Sequence, residues 1–215
     1  MNLKKYIAEL IWTFALIFFG TGAVIVNMQT GGDLWLLGIS LVFGIIVTSM
    51  IYIFANISGT HINPAVTIAL AVSKKIGTKD ATFYVWTQLI WALLASVILK
   101  VLFPENIGLW QTLPSGSSLQ SFFIEIIMTF FLMMTILWVT SQWNKYSQAF
   151  AGIVIGWFIV AAILLSGPIS GGSFNPARSL APALVSWNLS HIWIYILWPL
   201  VWSTSAIFIW DFVKK

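Results

Sequence analysis

Six stretches of this chain are each apolar for about the ~20 residues that a helix needs to span roughly 30 Å of hydrocarbon. They cover approximately residues 6–26, 34–57, 83–103, 122–139, 149–167 and 192–213. Only 7% of the 215 residues are charged, against about 25% in a soluble domain. A chain this apolar has no surface left to face water, and it reads as an integral, multi-pass, all-α membrane protein with a single transmembrane domain over residues 1–215. Its thirteen Trp suit many membrane–water crossings. The first apolar run is longer than a signal-peptide core and reads as a retained helix. With no Cys, disulfides and thiol chemistry are excluded.

Two shorter apolar pieces, about 64–72 and 176–187, cannot cross a bilayer as helices. Each opens on Asn-Pro-Ala: Asn63-Pro64-Ala65 and Asn175-Pro176-Ala177. Asn is a good N-cap and Pro is favoured at the first helical position, so both motifs read as helix starts. Both follow apolar runs without a polar break, which makes them re-entrant half-helices. Irregular backbone is tolerated at such depth only where protein buries it or a wet cavity borders it. The Gly- and Ser-rich residues before each Asn are therefore expected to line a cavity.

The chain repeats. Glu9-x-x-x-Thr13-Phe14 recurs as Glu125-x-x-x-Thr129-Phe130, 116 positions on, and the Asn-Pro-Ala motifs are 112 apart. Two features in the same order imply two homologous halves, about 1–110 and 118–215. Three spans per half is an odd number, so the second half inserts upside down as an inverted repeat. Lys4, Lys5, Lys74, Lys75, Lys79, Lys145, Lys214 and Lys215 then fall on one side. The positive-inside rule makes that side, and both termini, cytoplasmic. Lys100 can snorkel from the far end of the third span. The net charge of +4 needs no nucleic-acid partner.

As N-caps, Asn63 and Asn175 accept bonds from their own helices and leave their NH₂ groups to donate into the cavity. Two donors and two positive dipole ends at one waist accept a lone-pair oxygen and oppose cations. Glu9 and Glu125, expensive inside a membrane, read as scaffolds that bind loop amides. The alternative is proton carriage, which lacks a relay because Asp33, Asp80, Glu105 and Asp211 lie in loops or at span ends. Arg178 reads as pore-lining, adding donors and positive charge at the outer mouth. His61, with only His191 for company, reads as structural, and no metal site or cofactor is expected. Gly152-x-x-x-Gly156 reads as close helix packing. No nucleophile–base pair supports an enzyme.

Taken together, these motifs make the chain resemble the aquaporin, or major intrinsic protein, family over essentially its whole length. The resemblance implies a homotetramer in the cell membrane with one pore per monomer. The carbonyls of Gly59, Thr60 and His61, and of Gly171, Gly172 and Ser173, would face the two Asn donors as an acceptor ladder. By position from each Asn, the outer selectivity filter would be Phe43, Ile163, Gly172 and Arg178. Strict water channels usually have His where Ile163 stands, and typical glycerol facilitators an aromatic where Gly172 stands. The four resemble the filters of archaeal aquaporins and plant nodulin-26-like proteins. Ser179, Ala183 and Tyr195 match water-channel types, and Ile196 departs from them. The expectation is a passive channel for water with broadened selectivity that excludes protons and ions. The second reading is a facilitator for a neutral solute such as glycerol, urea, hydrogen sulfide or ammonia. A proton-coupled transporter is a distant third.

Overall fold

The protein, seen in a computed structural model, is described for residues 3–106, 108, 111–141 and 145–214, with the backbone alone of Lys145. Eight helices follow one another: α1 (Leu3–Gln29), α2 (Trp35–Ser58), α3 (Pro64–Val72), α4 (Thr78–Leu102), α5 (Ser118–Ser141), α6 (Lys145–Ser170), α7 (Pro176–Val185) and α8 (Ile192–Val213). Among the described residues, six are long and apolar enough to cross a membrane, and α3 and α7 are not. Large apolar side chains such as Trp86, Phe131, Trp157 and Phe212 point outward. Outward-facing apolar surface on this scale is stable only in lipid. The chain is an integral, multi-pass membrane protein.

The two halves share one order: two long helices, a half-helix and a long helix. Contacts also cross between halves, with α3 packed on α8 and α7 on α4. The closest seam joins α2 to α6, where glycines let the backbones meet. A Cβ on Gly156 would lie 2.6 Å from the Gly44 carbonyl, and one on Gly44 would lie 2.7 Å from the Gly156 carbonyl. Thr48 Oγ1 donates to the Gly152 carbonyl at 3.0 Å across the same seam. The Gly152-x-x-x-Gly156 spacing is thus the small-residue face it was read as.

Most helix ends differ from the sequence reading by one to five residues, and the C-terminal ends of α6 and α7 show how. Helix α6 runs through Pro168 to Ser170 instead of stopping at Gly167. A proline removes one N–H, and membrane helices tolerate that where neighbours satisfy the freed backbone. In the last turn beyond it, the Ile169 carbonyl accepts both Ser115 N–H and Ser121 Oγ–H, which pins the end of the helix. Helix α7 ends at Val185, two residues early. Ser186 closes it by donating N–H and Oγ–H to the Pro182 carbonyl, and Trp187 turns to a φ of 58°.

At one end of the bundle Lys5 pairs with Asp80 at 2.5 Å and Lys75 with Asp211 at 3.6 Å. These contacts bring the starts of α1 and α4, the residues after α3 and the end of α8 to the same face. Of the eight lysines assigned there, Lys215 and the side chain of Lys145 lie outside the described residues. Lys100, in the last turn of α4, donates to the Pro104 and Asn106 carbonyls at the opposite end.

Candidate channel lumen

The half-helices α3 and α7 meet N-terminus to N-terminus. Asn63 Oδ1 accepts Ala65 N–H at 2.8 Å, and Asn175 Oδ1 accepts Ala177 N–H at 3.0 Å. Each is the N-cap that its sequence indicated. Their amide groups correct the sequence reading in one respect. Asn63 Nδ2 donates to the Phe174 carbonyl at 2.7 Å, and Asn175 Nδ2 donates to the Ile62 carbonyl at 3.0 Å. One N–H of each NH₂ is spent joining the halves, and its second N–H is left for the lumen.

The loops before each Asn take the same backbone path. Gly59, Thr60 and Ile62 have φ of 81°, 59° and 55°; Gly171, Gly172 and Phe174 have 81°, 59° and 43°. Left-handed backbone costs a non-glycine residue roughly 1–2 kcal/mol, so something must hold it. Glu9 does so in the first half, its two oxygens each accepting a backbone N–H, from His61 and Ile62, at 3.0 Å. Glu125 accepts Ser173 N–H at 2.9 Å and Phe174 N–H at 2.6 Å. Thr60 N–H goes to Ser58 Oγ at 3.2 Å, and Gly172 N–H to Ser170 Oγ at 3.3 Å.

In a trans peptide the carbonyl points opposite to the N–H that follows it. These six bonds therefore turn the carbonyls of Gly59, Thr60, His61, Gly171, Gly172 and Ser173 away from their anchors. The motif's Thr closes on its own helix: Thr13 and Thr129 donate to the Glu9 and Glu125 carbonyls.

All six loop residues border the cavity or the vestibule beyond it. A cavity of about 90 Å³, room for several waters, runs past residues 59–63 and 172–175. Its other wall is aliphatic, with Val47, Ile51, Leu132, Ile136, Ile155 and Ile159 from α2, α5 and α6. A wider vestibule of about 730 Å³ lies beyond, bordered by Gly171. Phe43, Ile163 and Arg178 line both spaces, so they stand at the constriction between them. The Arg178 guanidinium carbon lies 5.7 Å from the Phe43 ring centre, within cation–π range. Gly172 lines the inner cavity, and a Cβ there would fall 3.1 Å from Ser166 Oγ. Val66, the counterpart of Arg178, also faces the inner cavity.

The sequence model of the major intrinsic protein family matches residues 1–210. The chain is 39% identical to the aquaporin NIP1-1 of Zea mays over 99% of its length and 75% of that protein's. It is also 39% identical to nodulin-26 of Glycine max, covering 99% of this chain and 78% of that one. The X-ray structure of the aquaglyceroporin from Plasmodium falciparum superposes with a TM-score of 0.88 at 25% identity, over 98% of this chain and 96% of that one.

The chain belongs to the major intrinsic protein family.

Within this family member, several side chains hold the lumen through contacts that lay outside the sequence reading. Gln88, fully buried in α4, donates to Glu9 Oε2 at 2.8 Å and to Thr67 Oγ1 at 3.0 Å. Ser170 donates to Glu125 at 2.7 Å. Tyr84 donates to the Ser58 carbonyl, and Tyr195 to the Ser170 carbonyl, both at 2.9 Å. The repeat offset would have found this last pair, since 111 positions separate the tyrosines and 112 the serines. His61 packs its ring on Tyr84 at 5.0 Å and sets Nδ1 3.2 Å from Thr67 Oγ1. His191 sits apart at the start of α8, with Nδ1 3.4 Å from Ser118 Oγ.

Proposed function

We propose that this protein is a passive channel carrying water, and with it small uncharged solutes, across a lipid bilayer while excluding protons and ions. One observation supports this most: two half-helix N-termini abut inside the membrane, with a cavity beside them lined by backbone carbonyls on one side and aliphatic groups on the other. A passing water meets acceptors along the loops, the Arg178 donors at the outer filter, and at the waist the donors of Asn63 and Asn175. At that waist its oxygen is engaged by both donors, which interrupts a proton wire, and both dipole ends repel cations. Asn63-Pro64-Ala65 and Asn175-Pro176-Ala177 form the waist, and Phe43, Ile163, Gly172 and Arg178 the outer filter.

The filter favours a second reading alongside the first. Ile163 contributes no polar contact and Gly172 no side chain, so a solute somewhat larger than water is admitted. The aquaglyceroporin likeness and the nodulin-26 likeness are both in keeping with a neutral-solute facilitator. Proton coupling is not supported, because Glu9 and Glu125 each accept three hydrogen bonds that hold the loops. Stopped-flow light scattering on proteoliposomes tests the assignment. Rapid osmotic water flow is expected, with measurable glycerol or urea uptake. No flow above that of empty vesicles overturns it.

The two halves, about 1–110 and 118–215, are taken as an inverted repeat forming one channel domain. Both termini are placed at the cytoplasmic face of the cell membrane, because the Lys5–Asp80 and Lys75–Asp211 end carries most of the lysines. The assembly is taken as a homotetramer on the family resemblance, with each chain enclosing its own lumen. Native mass spectrometry of the detergent-solubilised protein checks the subunit number.

A further inference from the structure

Three buried hydroxyls from distant parts of the chain form one line behind the second half-helix. Thr112 lies between α4 and α5, Ser179 is in the first turn of α7, and Ser173 belongs to the carbonyl-bearing loop. Thr112 Oγ1 is 2.5 Å from Ser179 Oγ, and Ser179 Oγ is 2.5 Å from Ser173 Oγ. Ser173 Oγ in turn lies 3.0 Å from the Asn175 carbonyl and 3.3 Å from Asn175 N–H. Thr112 is 4% exposed, Ser173 3% and Ser179 0%. One direction of donation satisfies every proton. Thr112 donates to Ser179, Ser179 to Ser173, and Ser173 to the Asn175 carbonyl. Reversing it would leave that carbonyl without the Ser173 proton.

The repeat shows what is unusual here. Ser173 and Ser179 occupy the positions that His61 and Thr67 hold in the first half. There the third partner is Gln88, from a membrane-spanning helix. In the second half the third partner is Thr112, from a connecting segment. That segment is seated firmly. The ideal Cβ of Gly171 would lie 3.0 Å from Thr112 Cα, and Ser115 N–H is bound by the Ile169 carbonyl at 3.0 Å. Ser179 follows Arg178 directly, and Ser173 follows Gly172. The line of hydroxyls therefore touches the neighbours of two filter residues.

The geometry points to Thr112 as a positioning residue for the outer filter: its hydroxyl, acting through Ser179, fixes the Ser173 carbonyl and Arg178 and so sets how the pore discriminates water from larger neutral solutes. Thr112 acts through Ser179 and is assigned no contact with solute. The inference rests on the channel reading above and concerns its selectivity.

The test measures water and glycerol permeability of the full-length protein in proteoliposomes, for the unaltered chain and for Thr112→Val, Thr112→Ser and Ser179→Ala. Thr112→Val keeps the side-chain shape and removes the hydroxyl. It should raise the glycerol-to-water ratio severalfold. Thr112→Ser should restore the original ratio. Ser179→Ala breaks the same line in the middle, so its ratio should shift the same way and go no further in the double variant. A loss of folded protein lowers both permeabilities together and leaves the ratio unchanged. A Thr112→Val or Ser179→Ala ratio equal to that of the unaltered chain, with the same amount of protein inserted, overturns the inference. So does an equal shift in Thr112→Ser, or additive shifts in the double variant. Should Thr112→Val fail to insert, Ser179→Ala decides alone. An unaltered chain that conducts neither water nor glycerol defeats the channel reading instead.

Discussion

Asn63 and Asn175 clasp each other's loops. Asn63 Nδ2 donates to the Phe174 carbonyl at 2.7 Å and Asn175 Nδ2 to the Ile62 carbonyl at 3.0 Å, each reaching the residue just before the other. The halves are thus locked at the point where both helix dipoles end. The arrangement is reciprocal, so neither half-helix can withdraw without stranding a donor and an acceptor from the other.

Asn175→Asp tests this clasp. The carboxylate keeps the cap on Ala177, since Asp is as good an N-cap as Asn. It also sets an acceptor against the Ile62 carbonyl and places a negative charge at the waist. The expected outcome is a folded but less stable protein with a cation leak that the unaltered chain lacks. The leak is read by dissipation of a potassium gradient in proteoliposomes.

Glu125→Gln separates scaffold from proton carrier. Glu125 accepts Ser170 Oγ–H, Ser173 N–H and Phe174 N–H. A Gln can keep the first two on its oxygen but turns an NH₂ toward the third. One buried donor is then unpartnered, at a cost of about 1–3 kcal/mol. The thermal midpoint should fall by several degrees, at about 2–4 °C per kcal/mol for a chain of this size. A pH gradient should drive no solute accumulation in either protein; accumulation in the unaltered chain alone would assign Glu125 to proton transfer.

Arg178→Val gives the outer filter the residue that Val66 supplies in the other half. It removes the one formal charge among the four filter positions and opens space beside Phe43. Proton leak and glycerol uptake should both rise by measurable factors. A proton leak unchanged from that of the parent chain would remove Arg178 from the exclusion mechanism.

The frame was legible in the sequence because its signals are local. Asn before Pro marked each half-helix start, and α3 spans the residues expected. Charge scarcity and run length marked the six spans. What failed was also physical. Pro168 lies just past the expected end of α6, yet the helix runs through it to Ser170, where the last-turn Ile169 carbonyl is held by Ser115 and Ser121. Trp187 extends the apolar pattern beyond α7, but the cap at Ser186 has already ended the helix. Gln88 and Thr112 were silent because their meaning lies in contacts 79 and 67 positions away. Neither Gln in an apolar helix nor Thr in a loop announces such a partner. The proposed filter lies between these extremes: the family resemblance places its residues by counting from each Asn, and only the fold brings Phe43, Ile163 and Arg178 to one place.

Gly156→Ala probes the seam between α2 and α6. The added methyl would lie 2.0 Å from Thr48 Oγ1 and 2.6 Å from the Gly44 carbonyl. The first contact can be relieved by turning a side chain; the second is backbone and can be relieved only by parting the helices. Destabilisation of about 1–3 kcal/mol is expected for overpacking of this kind. Adding Thr48→Ala should recover only part of it, as thermal unfolding in detergent would report.

Gly20 carries the last prediction, because it sets where Phe43 stands. A Cβ on Gly20 would fall 2.2 Å from Phe43 Cε1, inside the ring's own volume. Phe43 is 4% exposed and lies against both the cavity and the vestibule. Gly20→Ala therefore has one cheap outlet, displacement of the ring into the constriction. Water permeability should fall severalfold while the amount of inserted protein changes little. Gly20→Ala combined with Phe43→Leu removes the ring that the methyl displaces and should recover water flow. If the double variant stays as slow as Gly20→Ala alone, the methyl acts on helix packing, and Phe43 does not set the width of the filter.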